Sequence, residues 1–274
     1  MNGDSQVEAL AEAFEKVGSG LLLAVTGAGI SLASGIPTFR GSDPGAVWKR
    51  DLMELATLGY FLEDPVGSWQ WYLSRFDTLA AARPNPAHLA LAELERWQVA
   101  RGGELLLITQ NIDTLHEQAG STRMIKVHGS SDKVRCSRDG CTLGSPSGAL
   151  PRPDEALAAF AAAPSEDTLP RCPRCGSPLR PHVLWFDELY ASHADYRWSE
   201  VQRSLHCMRA ALCIGTSFAV GFTEALLQAA AYNGVPVFAI DPTPTLPVAG
   251  RSLRHLVARA EELLPRVVAR LTAS

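Results

Sequence analysis

The chain has 274 residues, 46% of them apolar and 20% charged, with a formal net charge of −4. That length can bury a real core, as one large α/β domain or a large domain with a small appendage, and the mild negative charge excludes any general pull toward nucleic acid or anionic membrane. The N-terminal "MNGDSQVEALAEAFEKVGSG" has no basic region leading into a long apolar run, and no apolar stretch is long enough to span a bilayer. The expectation is a soluble, cytoplasmic protein that neither enters a membrane nor binds nucleic acid directly.

In chain order, "LLLAVTGAGIS" reads as a buried strand running into a glycine turn, Thr26 to Ser31. The backbone N–H groups of such a turn can hold a phosphate, or the glycines can serve only tight packing of strand against helix. The three-glycine dinucleotide fingerprint is incomplete, with Leu32 in the third position, and no acidic residue follows a second strand in the usual place. A plain hydride-transfer dehydrogenase is disfavoured. Next comes "WQWYLSRF", in which Trp69, Tyr72 and Phe76 share one helix face and Arg75 follows Tyr72 on nearly the same side. Arg75 can simply lay its stem over apolar surface with its head in water; the segment alone does not decide.

"PAHLALAELERWQVA" is of helical length, and "GELLLITQNID" is another buried strand with Gln110, Asn111 and Asp113 directly after it. Those three groups suit ribose hydroxyls and a carboxamide better than phosphate. His128, in "VHGS", follows a short apolar stretch and can be a general base or a structural histidine. Residues 130–180 differ in character, with few strand-like runs and a Pro/Ala/Ser-rich section read as a mobile loop. Cys136-x4-Cys141 and Cys172-x2-Cys175 can complete a closed, structural S4 zinc site; two disulfides or four unrelated thiols are the alternatives. Cys207 and Cys213 lie in apolar surroundings and are expected in the core. "AALCIGTSFAV" and "VPVFAIDPTP" supply two more strands. Strands alternating with helices predict an α/β fold with a parallel sheet covered on both faces and ligands at the C-terminal ends of its strands.

Taken together and in this order, "GAGIS", "GIPTFRG", "TQNID", "VHG", the two cysteine pairs, "PHVLWFDE" and "GTS" resemble the sirtuins, the NAD-dependent protein lysine deacylases, from about residue 20 to about residue 245. The resemblance implies a discontinuous Rossmann-like domain, residues 1–129 and 181–274, with helices on both faces of its sheet, and an inserted small zinc-binding module, residues 130–180. Part of the helical segment 45–85 would pack over the acyl pocket. NAD and an acyl-lysine protein or peptide would meet in the cleft, with one structural zinc ion nearby. By similarity, Gly27, Ala28, Gly29 and Ser31 face the pyrophosphate, Arg40 helps hold NAD, and Phe39 shields the nicotinamide side. Gln110, Asn111 and Asp113 receive ribose and carboxamide, Gly215, Thr216 and Ser217 serve the adenosine half, and Asp241 stands at the NAD ribose. Asn111 and His128 are the catalytic pair, with His128 accepting a proton from the ribose hydroxyls. The products would be free lysine, nicotinamide and O-acyl-ADP-ribose.

Val183, Leu184, Trp185 and Phe186, in "VLWFDE", are expected to be extended and to pair with the substrate peptide as an added strand. The segment with Tyr72 and Arg75 resembles the acyl pocket of the branch that removes malonyl, succinyl and glutaryl groups, Ala56-Thr57 and Asp64-Pro65 preceding it as landmarks. The chain departs from the family pattern at Asp187, where glycine is usual, at Lys126, where glutamate is usual, and at Asp241, where asparagine is usual. Asp187 is expected either to favour basic peptides or to hinder anionic ones, and Asp241 to accept ribose hydroxyls still while weakening NAD binding by its charge. An NAD hydrolase or ADP-ribosyltransferase on the same fold, and a non-catalytic NAD-sensing module, remain the competing readings.

Overall fold

The computed structural model describes residues 3–38, 51–219, 221–246, 248 and 252–273. In chain order its strands are β1 (Leu21–Thr26), β2 (Glu104–Thr109), β3 (Met124–Lys126), β4 (Gly129–Cys136), β5 (Leu150–Pro151), β6 (Leu179–Val183), β7 (Met208–Ile214), β8 (Val237–Asp241) and β9 (Leu253–Val257). Its helices are α1 (Gly3–Val17), α2 (Asp51–Leu55), α3 (Leu58–Glu63), α4 (Pro65–Ala81), α5 (Pro86–Ala100), α6 (Leu115–Ala119), α7 (Asp154–Ala162), α8 (Trp198–Cys207), α9 (Gly221–Asn233) and α10 (Ala260–Thr272).

The larger sheet is parallel, in the order β3-β2-β1-β7-β8-β9. Near-continuous apolar runs are what a strand covered on both faces requires, and β1 shows the consequence. Leu22 and Ala24 enter a core with Phe14 of α1, Leu91 of α5 and Val267 of α10. Leu23 and Val25 enter the opposite core, with Val201 of α8 and Phe222 of α9. The chain leaves β1 toward β2 on one side and later returns to β7 on the other, so the strand order reverses at β1. The crevice at the C-terminal ends of β1, β2 and β7 is therefore the place this topology offers to a ligand.

The smaller sheet is antiparallel, in the order β5-β4-β6. Val134, Leu179 and Val183 from it share a third core with Phe61 of α3 and with Trp69, Tyr72 and Phe76 of α4. Helix α4 starts where the sequence allows it: the Asp64 carboxylate accepts the Gly67 N–H at 2.8 Å and Pro65 opens the first turn. Its i, i+3, i+7 aromatic face is buried as the spacing predicts, and Trp69 Nε1 donates to the Leu179 carbonyl at 2.7 Å.

Two expectations are corrected here. The stretch between the cysteine pairs contains β5 and α7, and it is pinned by Leu157 and Phe160, which are buried one helical turn apart. Alanine-rich composition favours helix, and two large apolar residues at that spacing suffice to dock it. Cys213 is buried in β7, but Cys207 is exposed, because it falls off the Val201, Ser204 and Leu205 face by which α8 packs.

Candidate functional site

Three turns meet at the strand ends. The glycines of the first are explained by contact with the third: the Gly27 N–H donates to the Ile214 carbonyl at 3.0 Å and the Gly29 N–H to the Gly215 carbonyl at 2.9 Å. A Cβ built on Gly29 would stand 2.6 Å from the Gly215 Cα, and Gly215 itself has φ +56°, so side chains are excluded on both sides. After the turn, Ala28–Ser34 forms a 3₁₀ helix instead of an α-helix.

The second turn ties the other two together. Gln110 Nε2 donates to Thr216 Oγ1 at 3.1 Å, and Asn111 Nδ2 donates to Ser31 Oγ at 3.1 Å and to the Gly27 carbonyl at 3.2 Å. Ser31 Oγ in turn donates to Asp113 Oδ2 at 3.1 Å. Burial pushes the Asp113 carboxyl up, against the Leu115 N–H and Ser31 hydroxyl that favour its charged form. Gly27, Gly29, Ser31, Gln110, Asn111, Asp113, Gly215 and Thr216 thus form one hydrogen-bonded and packed cluster, with Ala28 inside the first turn. Ser217 is exposed beside it. Asp241, at the end of the neighbouring β8, turns its carboxylate to the N–H and hydroxyl of Thr243. Phe39 and Arg40 lie outside the described residues.

His128 borders the same cluster. Its Nδ1 stands 2.8 Å from the Gln110 carbonyl, which can only accept, so Nδ1 carries the proton and Nε2 keeps the lone pair. Burial pulls this imidazole down to about 4, although the Gln110 carbonyl works the other way. A neutral imidazole that keeps its Nε2 lone pair is the form a general base needs.

The sequence did not mark the group that faces that lone pair. The Tyr190 hydroxyl is 3.2 Å from His128 Nε2, with the Tyr190 ring stacked on Trp198 at 4.4 Å between centroids. Nothing in the pattern around residue 190 is periodic or motif-like, so only the fold reveals it. Lys126 also gains a structural role, since its Nζ donates to the Asp113 carbonyl, to Glu117 Oε1 at 2.9 Å and to Ser130 Oγ at 2.7 Å, joining the second turn, α6 and β4.

The "VLWFDE" segment leaves the sheet early. β6 ends at Val183, and Phe186 and Asp187 form a turn, where extension to Glu188 was expected. Glu188 is the cause. Its carboxylate takes Arg135 at 2.7 Å, Arg180 at 2.8 Å and the Trp185 N–H at 3.0 Å, folding the segment back on itself. Burial alone would raise the Glu188 carboxyl, but Arg180 and Arg135 hold it below its ordinary value. The Leu184 N–H is bonded to the His128 carbonyl and the Phe186 N–H to the Ala56 carbonyl, which places this segment between the histidine and α3.

Tyr72 is buried against Trp185, whose indole N–H donates to the Tyr72 hydroxyl at 2.5 Å. Arg75 lies close by, its guanidinium 3.8 Å from the Trp71 ring centroid and its Nη1 donating to the Trp71 carbonyl at 2.8 Å. Arg75 Nε is buried with no hydrogen-bond partner, and among the described residues no carboxylate is within ion-pair distance of it. Asp187 does not neutralise it: the Asp187 carboxylate accepts the Leu58 and Gly59 N–H groups at 2.8 and 3.1 Å.

Cys136, Cys141, Cys172 and Cys175 converge, with Cys136 Sγ 3.5 Å from Cys175 Sγ and Cys141 Sγ 3.8 Å from Cys172 Sγ. Thiolates bound tetrahedrally at about 2.3 Å stand roughly 3.8 Å apart, so the cluster fits one structural zinc ion with every position filled by protein. Among the described residues no helix is long and apolar enough to cross a membrane.

A model of the Sir2 family matches residues 27–221. The chain is 39% identical over 252 residues to an NAD-dependent protein deacylase of Thermus thermophilus, covering 90% of this chain and 91% of that one. It is 38% identical over 235 residues to the mitochondrial NAD-dependent protein deacylase sirtuin-5 of Danio rerio, covering 80% and 74%. A solved Sir2 homologue in complex with NAD matches it with a TM-score of 0.76 at 35% identity, over 97% of this chain and 94% of that one. The matched span carries the three turns, His128 and all four clustered cysteines, and this chain belongs to the Sir2 family.

Proposed function

We propose that this protein is an NAD-dependent protein lysine deacylase that prefers lysines carrying succinyl, malonyl or glutaryl groups over acetyl-lysine. Family membership and the assembly of polar turns around His128 support the deacylase. The observation that carries the finer preference is Arg75, a half-buried guanidinium near the Tyr72 phenol on the aromatic helix α4, with no carboxylate in ion-pair reach among the described residues. A terminal carboxylate brought to that guanidinium gains charge-assisted hydrogen bonds in a fixed geometry. An acetyl group leaves the cation unpaired. Burial also lowers the Arg75 guanidinium from its ordinary value.

NAD, when bound, supplies the ribose carbon that takes the acyl oxygen as nicotinamide departs. We assign Gly27, Ala28, Gly29, Ser31 and Arg40 to its pyrophosphate half, Gly215, Thr216, Ser217 and Asp241 to the adenosine half, and Phe39, Gln110, Asn111 and Asp113 to nicotinamide and its ribose. Asn111 and Asp113 are held by Ser31, so they meet a ligand already oriented. His128 Nε2 takes the proton from the ribose hydroxyl. Val183, Leu184, Trp185 and Phe186 guide the acyl-lysine peptide to it. We divide the chain into a Rossmann-like domain, 1–129 and 181–274, and a zinc module, 130–180, with part of 45–85 over the acyl pocket. A reducing compartment, where thiols stay free for zinc, is what this reading needs, and we assign the cytoplasm.

One peptide carrying acetyl, succinyl, malonyl, glutaryl or long-chain acyl groups, assayed in parallel by mass spectrometry, tests both levels. The expected result is O-acyl-ADP-ribose formed in step with free lysine, fastest for the acidic groups. Arg75→Met is expected to cost succinyl-lysine turnover on the order of 2 kcal/mol, roughly 30-fold in kcat/KM, and to leave acetyl-lysine nearly unchanged. ADP-ribose formed without peptide turnover overturns the deacylase. A wild type that favours acetyl or long-chain groups, with Arg75→Met acting on all substrates alike, overturns only the preference.

A further inference from the structure

Among the described residues a second group of metal-ligating side chains, His182, His193 and Asp195, shares no member with the cysteine cluster. We propose that these three residues form a second metal site, for a divalent transition-metal ion, built from β6 and the chain that follows Tyr190. His182 is 1% exposed, and both of its ring nitrogens are buried without a hydrogen-bond partner. Such an imidazole keeps one lone pair that no hydrogen bond occupies, and an ion can take it. The Asp195 carboxylate stands 3.3 Å from His182 Nε2, yet is not placed to accept a hydrogen bond from it. Two ligands held at about 2.0–2.1 Å from one tetrahedral ion lie roughly 3.3 Å apart. The pair has the spacing of co-ligands and not the alignment of donor and acceptor.

His193 completes the set. It is 2% exposed, its ring meets that of His182 edge-on with centroids 4.6 Å apart, and one ligand atom from each of the three residues lies within 4.8 Å of the others. His193 Nε2 faces the Gly148 carbonyl at 3.1 Å, which fixes its proton there and leaves the lone pair on Nδ1. Metal-bound histidines are oriented in this way, with the far N–H donating to a carbonyl or carboxylate. The Asp195 N–H now caps the Nδ1 lone pair at 3.2 Å, and an ion would take its place. Asp195, with Asp132, Lys133 and Ser147, also lines a cavity of about 360 Å³, so the carboxylate edge of the group borders open space while both imidazoles lie behind it. Two imidazoles and one carboxylate suit zinc and its first-row neighbours.

Three cations face the site. Arg135 is engaged by Glu188 and the Tyr196 hydroxyl, and Arg180 by Glu188. Lys133 alone competes for the ligand itself, with its Nζ 3.6 Å from the Asp195 carboxylate, and it is exposed enough to swing into water. The competition gives the site a signature that a purely structural histidine cluster lacks.

The test is equilibrium dialysis of the purified, zinc-containing protein against added zinc, with metal per chain read by elemental analysis. Two zinc ions per chain are expected in the wild type. Asp195→Asn, at a partly exposed position, and His182→Gln are each expected to weaken the second ion by at least about 100-fold without releasing the first. Lys133→Gln is expected to tighten it. Cobalt substitution separates the sites: the thiolate charge-transfer bands of the cysteine cluster persist in the Asp195 and His182 variants, while the second, sulfur-free d–d spectrum is lost. A wild type that stops at one zinc, or a second zinc indifferent to Asp195→Asn and His182→Gln, overturns the proposal; so does Lys133→Gln without effect.

Discussion

The Gln110 carbonyl decides which nitrogen of His128 can work, because it holds the proton on Nδ1 and leaves Nε2 as the base. The Tyr190 hydroxyl then donates to the only lone pair the imidazole has. A hydrogen bond to the neutral form disfavours protonation, so it acts in the same direction as the burial that pulls His128 down. Tyr190→Phe is therefore expected to raise the His128 pKa, moving its NMR titration and the acidic limb of kcat/KM upward while the Trp198 stack stays. An unshifted titration would reduce Tyr190 to a packing residue. His128→Ala, by contrast, is expected to lose ~10²–10⁴-fold in turnover with NAD binding and folding retained, measured by single-turnover assay beside calorimetry. At the same scale the structure also orients a group that departs from the family pattern. Asp187 accepts two backbone N–H groups at the start of α3, which fixes where its carboxylate stands while leaving its charge in place.

Among elements, the small sheet depends most on one chemical clasp. Cys136 ends β4, while Cys172 and Cys175 sit on a turn closed by the Gly176 N–H to the Cys172 carbonyl at 2.9 Å. Between these anchors lies a stretch whose core is little more than Leu157, Phe160 and Leu169. Zinc binding energy is then folding energy for this element. Cys172→Ser or Cys175→Ser is expected to release the tightly held zinc, to abolish cobalt–thiolate absorption, and to expose the stretch around α7 to limited proteolysis, with activity falling as a consequence. Cys207→Ser, at an exposed thiol outside the cluster, is the control and should change none of these. Ser variants that keep zinc and resist the protease would assign the four thiols another role.

Across the whole molecule, the buried imidazoles set how it answers acid. Burial pulls His88 and His128 down to about 4 and His116 well below its ordinary value. Above pH 6.5 these groups are neutral in both states and contribute no pH dependence. As pH falls from there toward 4, the unfolded chain takes up protons that the folded imidazoles refuse, so stability is lost, by roughly 1.4 kcal/mol per pH unit for each such histidine. Below about 4, His88 and His128 are protonated in the fold as well, and their share of the loss ends. The raised carboxyl of Asp113 works in the opposite direction. The urea midpoint is expected to drop steeply between pH 6.5 and 5, before ordinary carboxylates titrate; a flat profile there would contradict the burial of these rings.

What the sequence by itself determined is local and periodic. Uninterrupted apolar runs such as Leu21–Val25 require a strand buried on both faces, the face shared by Trp69, Tyr72 and Phe76 requires a packed helix, and two short cysteine spacings each place two thiols where one ion can hold them, because each of these is set by bonds a few residues long. Gly27, Gly29, Asn111, Asp113 and His128 were legible for the same reason, each standing at the end of an apolar run where the chain must turn. What only the tertiary structure decided depends on partners far away in the chain. The contact of Tyr190 with His128, the capture of Asp187 by α3, the folding back of "VLWFDE" onto Arg135 and Arg180, and the meeting of His182 with Asp195 arise from packing, and no spacing along the sequence encodes the angle at which two elements meet.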